Sequence, residues 1–193
     1  MKIKEEYVCP KCKQKNKIKL TSEVSSSDIP KIISRELFRH ECKKCGETVN
    51  VEYPLKVVGD DYLIYFTPGE NKDIEDNSKN ILRICDTYDD LKEKLFILED
   101  KLDDIVIEFI KNYIKNTLSD EIAKDVVRIR YNSKEEDTLF FSLIGADMFA
   151  NCTMEQYYAM KKKLKIKKTN KCVLIDEYTY VNFYKMRLLW NFP

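Results

Sequence analysis

The sequence predicts an α+β protein: a zinc-ribbon-like β module at the N-terminus, a long amphipathic helix, and an αβ C-terminal part. Three observations carry this expectation. Two C-x-x-C pairs, Cys9/Cys12 and Cys42/Cys45, stand in a segment where polar and apolar residues alternate. Beyond Thr87, leucines recur at spacings of four and three. The last third then returns to short β-rich runs around a capped helical segment.

The elements follow in order. "KNKIKLTSEV" and "ETVNVEYPL" alternate, and "DYLIYFTP" is aromatic and β-branched, so all three read as strands. Between the cysteine pairs, "SSSDIPKIISRELF" reads as a short helix capped by Asp28, with Pro30 in its first turn. "PGENKDIEDNS" is the best candidate boundary, which gives a module over 1–72 and a helix plus αβ region over 73–193, expected to pack as one compact unit. "ILRICD" reads as a strand. Thr87 followed three residues later by Asp90 marks a helix start. That helix carries Leu91, Leu95, Leu98, Leu102 and Ile105 on one stripe and is expected to continue through Phe109, Ile110, Tyr113 and Ile114, with a bend at Asp103–Asp104. Its stripe predicts a core helix, with homodimerisation through 87–118 as the alternative. Asp100, Asp103 and Asp104 are expected on a solvated face.

The remainder reads β–β–α–β–α. "DVVRIRY" and "TLFFSLIG" are strand-like; Thr153 and Gln156 form a capping box for "MEQYYAMKKKLK". "KCVLIDE" reads as a strand and "YTYVNFYKMRLLW" as an aromatic helix whose rings belong to a core.

Composition limits the function classes. Lys+Arg number 34 and Asp+Glu 33, so global charge requires neither a nucleic-acid nor a membrane partner. Charge is nonetheless uneven: residues 1–20 carry seven lysines against two glutamates, and 161–171 carry seven lysines and no acid. The start "MKIKEEYV" has no apolar run suited to a signal peptide, and no stretch approaches a membrane span, so a cytoplasmic location is expected. Four glycines and five prolines leave little material for Gly-rich phosphate loops.

The paired cysteines are the strongest signal. In a reducing compartment, tight C-x-x-C spacing favours metal over disulfides, and seven cysteines is an odd count for a disulfide framework. Zn²⁺ takes four tetrahedral ligands, and two such turns supply a closed, all-sulfur set from Cys9, Cys12, Cys42 and Cys45. Lys11, Lys13, Lys43 and Lys44 border the pairs and favour thiolates. Gly46 suits the tight turn after the second pair; Lys13 stands in the matching place of the first, which predicts a less regular turn there. A redox C-P-x-C should open a helix, but "KQKNKIKL" reads as a strand. The zinc-deaminase pattern H-x-E with P-C-x-x-C is absent. His40, in "HEC", is the alternative fourth ligand, and iron is the alternative metal. Cys85, Cys152 and Cys172 sit singly among apolar neighbours and read as packing residues.

The run "VCPKC … HECKKCG", followed by "VNVEYPLKV" and "YLIYFTPGE", resembles the CpXC domain family of bacterial and archaeal proteins, and "DTYDDLKEKLFILEDKLDD" is similar to that family's later helix. The similarity covers roughly 5–118. It departs at the second pair, C-K-K-C rather than C-P-x-C, and at Lys13. Neither change removes a ligand, so the resemblance implies the same four-cysteine metal site; the family has no established biochemical activity, so the resemblance assigns none. The expected function is therefore a non-enzymatic Zn²⁺-stabilised module for contact with a protein partner. The alternative is nucleic-acid binding through the knuckle lysines and the basic cluster at 161–168.

Overall fold

The structure, a computed structural model, describes residues 2–69, 81–164 and 173–174. It is a mixed α and β protein, as the alternation and the leucine stripe predict. The chain divides into two compact units. One takes in 2–28, 35–88 and 173–174 of the described residues; the other takes in 29–34 and 89–164.

The first unit begins with a two-stranded antiparallel hairpin of β1 (Lys2–Val8) and β2 (Lys15–Thr21). A second, smaller hairpin pairs β4 (Arg39–Glu41) with β5 (Thr48–Asn50). The remaining strands form a mixed sheet in the order β12-β8-β7-β6-β3, from β3 (Glu23–Ser25), β6 (Leu55–Val58), β7 (Tyr62–Phe66), β8 (Ile81–Cys85) and β12 (Val173–Leu174). The run "ETVNVEYPL" is thus two strands. Pro54 cannot donate to a ladder, and pairing resumes only after it. Gly59 makes the β6–β7 turn possible: a Cβ there would lie 2.3 Å from the ring of buried Tyr62.

Phe38 centres the aromatic core of this unit, with ring centroids 5.4 Å from Tyr53, 5.7 Å from Phe66 and 5.8 Å from Tyr88. Arg35, held at a positive φ of 61°, places its guanidinium 3.9 Å over the Tyr88 ring.

The second unit holds the short helix α1 (Ile29–Ile33) and the leucine-striped region. That region is two helices, α2 (Tyr88–Glu99) and α3 (Asp104–Thr117). Lys101, at φ 57°, ends the first in a left-handed turn, where Leu102 N–H reaches the Ile97 carbonyl at 3.0 Å. Asp103 caps the second by accepting the Ile105 N–H at 3.1 Å. The expected bend is a full break.

Leu91, Leu95, Leu98 and Leu102 are all buried, and Val106, Ile107, Ile110 and Ile114 of α3 join one cluster with Ile129, Tyr131, Leu139 and Phe141. The chain's own fold thus covers most of the stripe, while Tyr113 stays exposed. Those last four residues face inward from an antiparallel sheet of order β11-β10-β9, built from β9 (Arg128–Glu135), β10 (Thr138–Ile144) and β11 (Met148–Thr153). Strand β11 was not expected, because "MFANCT" has little alternation. Its partner places it, through the turn at Gly145 and Asp147 (φ 99° and 48°).

A short helix α4 (Asp120–Ala123) precedes this sheet, and after it the capping box forms as read: Thr153 N–H donates to Gln156 Oε1 at 2.9 Å, and Gln156 N–H to Thr153 Oγ1 at 3.2 Å, opening α5 (Met154–Leu164). Lys161, Lys162 and Lys163 occupy the last turn of α5. Residues 165–168 of the basic cluster, Cys172 and the expected final helix lie outside the described residues. Among the described residues, no helix is long and apolar enough to cross a membrane.

The acidic run corrects the sequence reading. Asp104 is 2% exposed and pairs with Lys94 at 2.9 Å, Asp103 is the helix cap, and Asp100 accepts the Tyr131 hydroxyl. Hydropathy cannot distinguish a solvated acid from one with a partner; here each carboxylate has one.

Candidate metal centre

Each C-x-x-C pair is the turn of a hairpin. Val8 pairs with Lys15 and Glu41 with Thr48, so six residues close each loop, Cys9 through Gln14 and Cys42 through Glu47. The two loops share one hydrogen-bond pattern. Cys9 N–H donates to the Gln14 carbonyl at 2.9 Å and Lys13 N–H to the Cys9 carbonyl at 2.9 Å. Cys42 N–H donates to Glu47 at 2.8 Å and Gly46 N–H to Cys42 at 2.9 Å.

Lys13 and Gly46 hold the same left-handed backbone, φ 59° and 69°. The first knuckle is therefore as regular as the second, contrary to the expectation drawn from Lys13, and the strain falls on a lysine instead. A non-glycine residue in this conformation costs about 1–2 kcal/mol. A Cβ at Gly46 would meet only Glu41 Oε1 at 3.5 Å, so Gly46→Ala should lower stability by about 1–2 kcal/mol through backbone strain alone. Lys13→Gly should be neutral or stabilising; thermal unfolding of both variants checks this.

The four sulfurs converge, all within 4.8 Å of one another. Cys9 Sγ lies 3.7 Å from Cys45 Sγ, and Cys12 Sγ lies 3.6 Å from Cys42 Sγ. A tetrahedron with metal–sulfur bonds of about 2.3 Å has edges of about 3.8 Å, so the donor set fits one metal ion. Cys9 and Cys42 are buried, whereas Cys12 and Cys45 lie nearer solvent. His40 is not part of this group; its ring packs 6.3 Å from that of Tyr7, and its Nε2 is buried without a hydrogen-bond partner among the described residues. Cys85 and Cys152 are buried singly, as expected of packing thiols.

The electrostatics ask for a cation. Burial opposes ionisation of Cys42, but the N–H groups of Cys45 and Lys44, the Asn16 amide and the Cys12 thiol outweigh it and bring its pKa down to about 6. At Cys45 the Glu47 N–H favours the thiolate, yet burial and the three other sulfurs push the pKa up to about 12. Four thiolates cannot be charged together unless positive charge sits among them.

Asn16, outside the cysteine pattern, and the Lys11–Glu47 pair complete the site. Asn16 is 3% exposed; its amide donates to Cys42 Sγ at 3.5 Å and to the Gln14 carbonyl at 3.0 Å, while its Oδ1 accepts the Lys43 N–H at 3.1 Å. It ties one knuckle to the other. Lys11 Nζ meets Glu47 at 2.9 Å, a second link between the loops, so this lysine acts through a carboxylate as well as through the sulfurs. Sequence reasoning passed over Asn16. The signal was its place on the Ile18 and Leu20 face of β2, where a polar side chain needs a partner. Asn16→Ala should weaken metal affinity by about 10–100-fold, read by chelator competition.

A family model described as CpXC protein matches residues 7–111, more than half of the chain. The matched span contains all four cysteines and both knuckle loops. No curated protein and no solved structure matches the chain.

Proposed function

From the premise that this chain belongs to the CpXC family, by a match over 7–111, we propose that it is a non-enzymatic zinc protein in which a structural Cys₄ site stabilises a module for protein–protein contact. The observation that carries the reading is the convergence of four sulfurs, with no other donor in the group among the described residues. A closed thiolate tetrahedron suits Zn²⁺ and leaves no open position for an activated water, so the metal's contribution is to hold two hairpins together. The role in protein contact is supported by the second unit. Val127 and Phe149, 78% and 71% exposed, stand with Ile144 and Met148 around one end of the β9–β11 sheet, where solvent alone gives them no favourable burial.

The experiment is native mass spectrometry and metal analysis of the purified chain, followed by affinity capture with wild type and with Val127→Ser/Phe149→Ser. One zinc per chain and a partner captured by wild type but not by the double variant support the reading. Iron at the site overturns the zinc assignment, and an oxygen or nitrogen ligand by X-ray absorption overturns the closed four-cysteine set; capture unaffected by the double variant overturns the contact surface.

A further inference from the structure

We propose that the outer face of the β1–β2 hairpin is a nucleic-acid surface that grips phosphodiester backbone without reading sequence. The proposal rests on the reading of the N-terminal hairpins as held in shape by the metal, and it adds a nucleic-acid partner to the protein contact proposed for the second unit.

The register places the residues. Asn16, Ile18 and Leu20 of β2 share one face of the hairpin, with Asn16 and Leu20 buried; Lys15, Lys17 and Lys19 therefore share the other, and all three are exposed. Across the pair stand Val8, Glu6 and Lys4, also exposed. Successive lysines on one strand face lie about 7 Å apart. The one acid on this face, Glu6, is taken up by Lys17 at 3.4 Å. Lys4, Lys15 and Lys19, with Lys13 in the adjoining knuckle turn, make no ion pair among the described residues. This charge is local, because the chain as a whole carries a formal net charge of only +1.

A second observation separates this face from ordinary solvated surface. Lys4 and Lys19 are directly opposite each other in the ladder. Like charges in that position destabilise a strand pair. A two-stranded hairpin has little stability to spare, and a glutamate at either place would replace repulsion with attraction. A polyanion lying across the face offsets the repulsion, and phosphates spaced along a backbone match a row of flexible ammonium groups. Among the described residues no exposed aromatic side chain stands on this face to stack on bases, so the expected binding is indifferent to sequence.

The test is fluorescence anisotropy of a labelled, mixed-sequence DNA duplex with the full zinc-loaded chain. With about four lysines engaged, affinity should fall about 100-fold between 50 and 200 mM salt. Lys4→Glu should weaken binding about 10-fold or more at 50 mM salt while the thermal midpoint stays equal or rises. Lys134→Glu, an exposed residue of β9 with the same change in net charge, should stay within about twofold of wild type. No binding at 50 mM salt overturns the proposal, as does an equal loss in the two variants. Displacement of the duplex by poly-glutamate as readily as by unlabelled DNA overturns it in favour of an acidic protein partner. Zinc content is measured on every sample: a zinc-loaded chain that ignores DNA defeats this proposal alone, whereas a chain without zinc defeats the metal-held module on which it rests.

Discussion

Cys9→Ser should abolish metal binding and unfold both hairpins of the first unit while leaving the β9–β11 sheet of the second intact. The expectation follows from how little else holds those hairpins. Each is a two-stranded sheet with no third strand beside it among the described residues, and an isolated hairpin is marginal in water. Among the described residues, the links between the hairpins are the sulfur cluster, Asn16, the exposed Lys11–Glu47 pair and the Tyr7–His40 ring contact. A surface ion pair is worth about 0–1 kcal/mol. A structural zinc site in small peptides is worth about 10–16 kcal/mol at pH 7, as much as the whole stability of a typical domain. Cys9 is fully buried, and the serine that replaces it leaves three sulfurs that no longer surround a cation. Hydrogen exchange checks the prediction: amides of β1, β2, β4 and β5 should lose protection in Cys9→Ser and in wild type stripped by a chelator. Those of β9 and β10 should not, because Leu139, Phe141 and Tyr131 sit in a separate buried cluster with α3. Retained protection in the hairpins after metal removal would show that packing, not the ion, holds them.

The parts of this molecule that sequence made legible are those where one chemical requirement decides the outcome. C-x-x-C twice is such a case, because sulfur spacing and tetrahedral geometry leave few alternatives; the Thr153–Gln156 capping box is another. The features that escaped depend on a partner distant in the chain. Asn16 becomes meaningful only when Cys42 and Lys43 arrive beside it from 26 and 27 residues away. Strand β11 is placed by β10, not by its own alternation. The leucine stripe runs unbroken by Pro or Gly, and what ends α2 is Lys101 in a conformation that sequence rules assign to glycine. Asp104 reads as a surface acid in the sequence because its cation, Lys94, falls in the same run of charges of both signs, and only the fold brings the two together from α3 and α2.

That buried charge carries the other large effect. Lys111→Met should cost the second unit about 3–5 kcal/mol, although methionine is apolar and of similar length. Lys111 is 9% exposed, and its ammonium lies 3.0 Å from Glu93 and 2.9 Å from Glu108. Glu93 is 6% exposed and also accepts the Tyr131 N–H at 2.8 Å, joining α2 to strand β9. Removing the lysine strands a buried carboxylate. The partner variant separates this charge effect from lost packing: Glu93→Gln keeps an acceptor for Tyr131 N–H and removes the charge, so Glu93→Gln/Lys111→Met should recover much of the loss. Denaturant unfolding of the two single variants and the double variant measures the coupling. The pH dependence has a definite sign. Burial pulls the Lys111 pKa down, but Glu108 and Glu93 outweigh it and raise it above 10.5. A raised folded value means that the charged lysine stabilises the fold fully below pH 10.5, its unfolded value, and that this contribution disappears as pH climbs through the folded value. The stability gap between wild type and Lys111→Met should therefore close in strong alkali. A gap that persists there would mean that the lysine's aliphatic stem, and not its charge, is what the core requires.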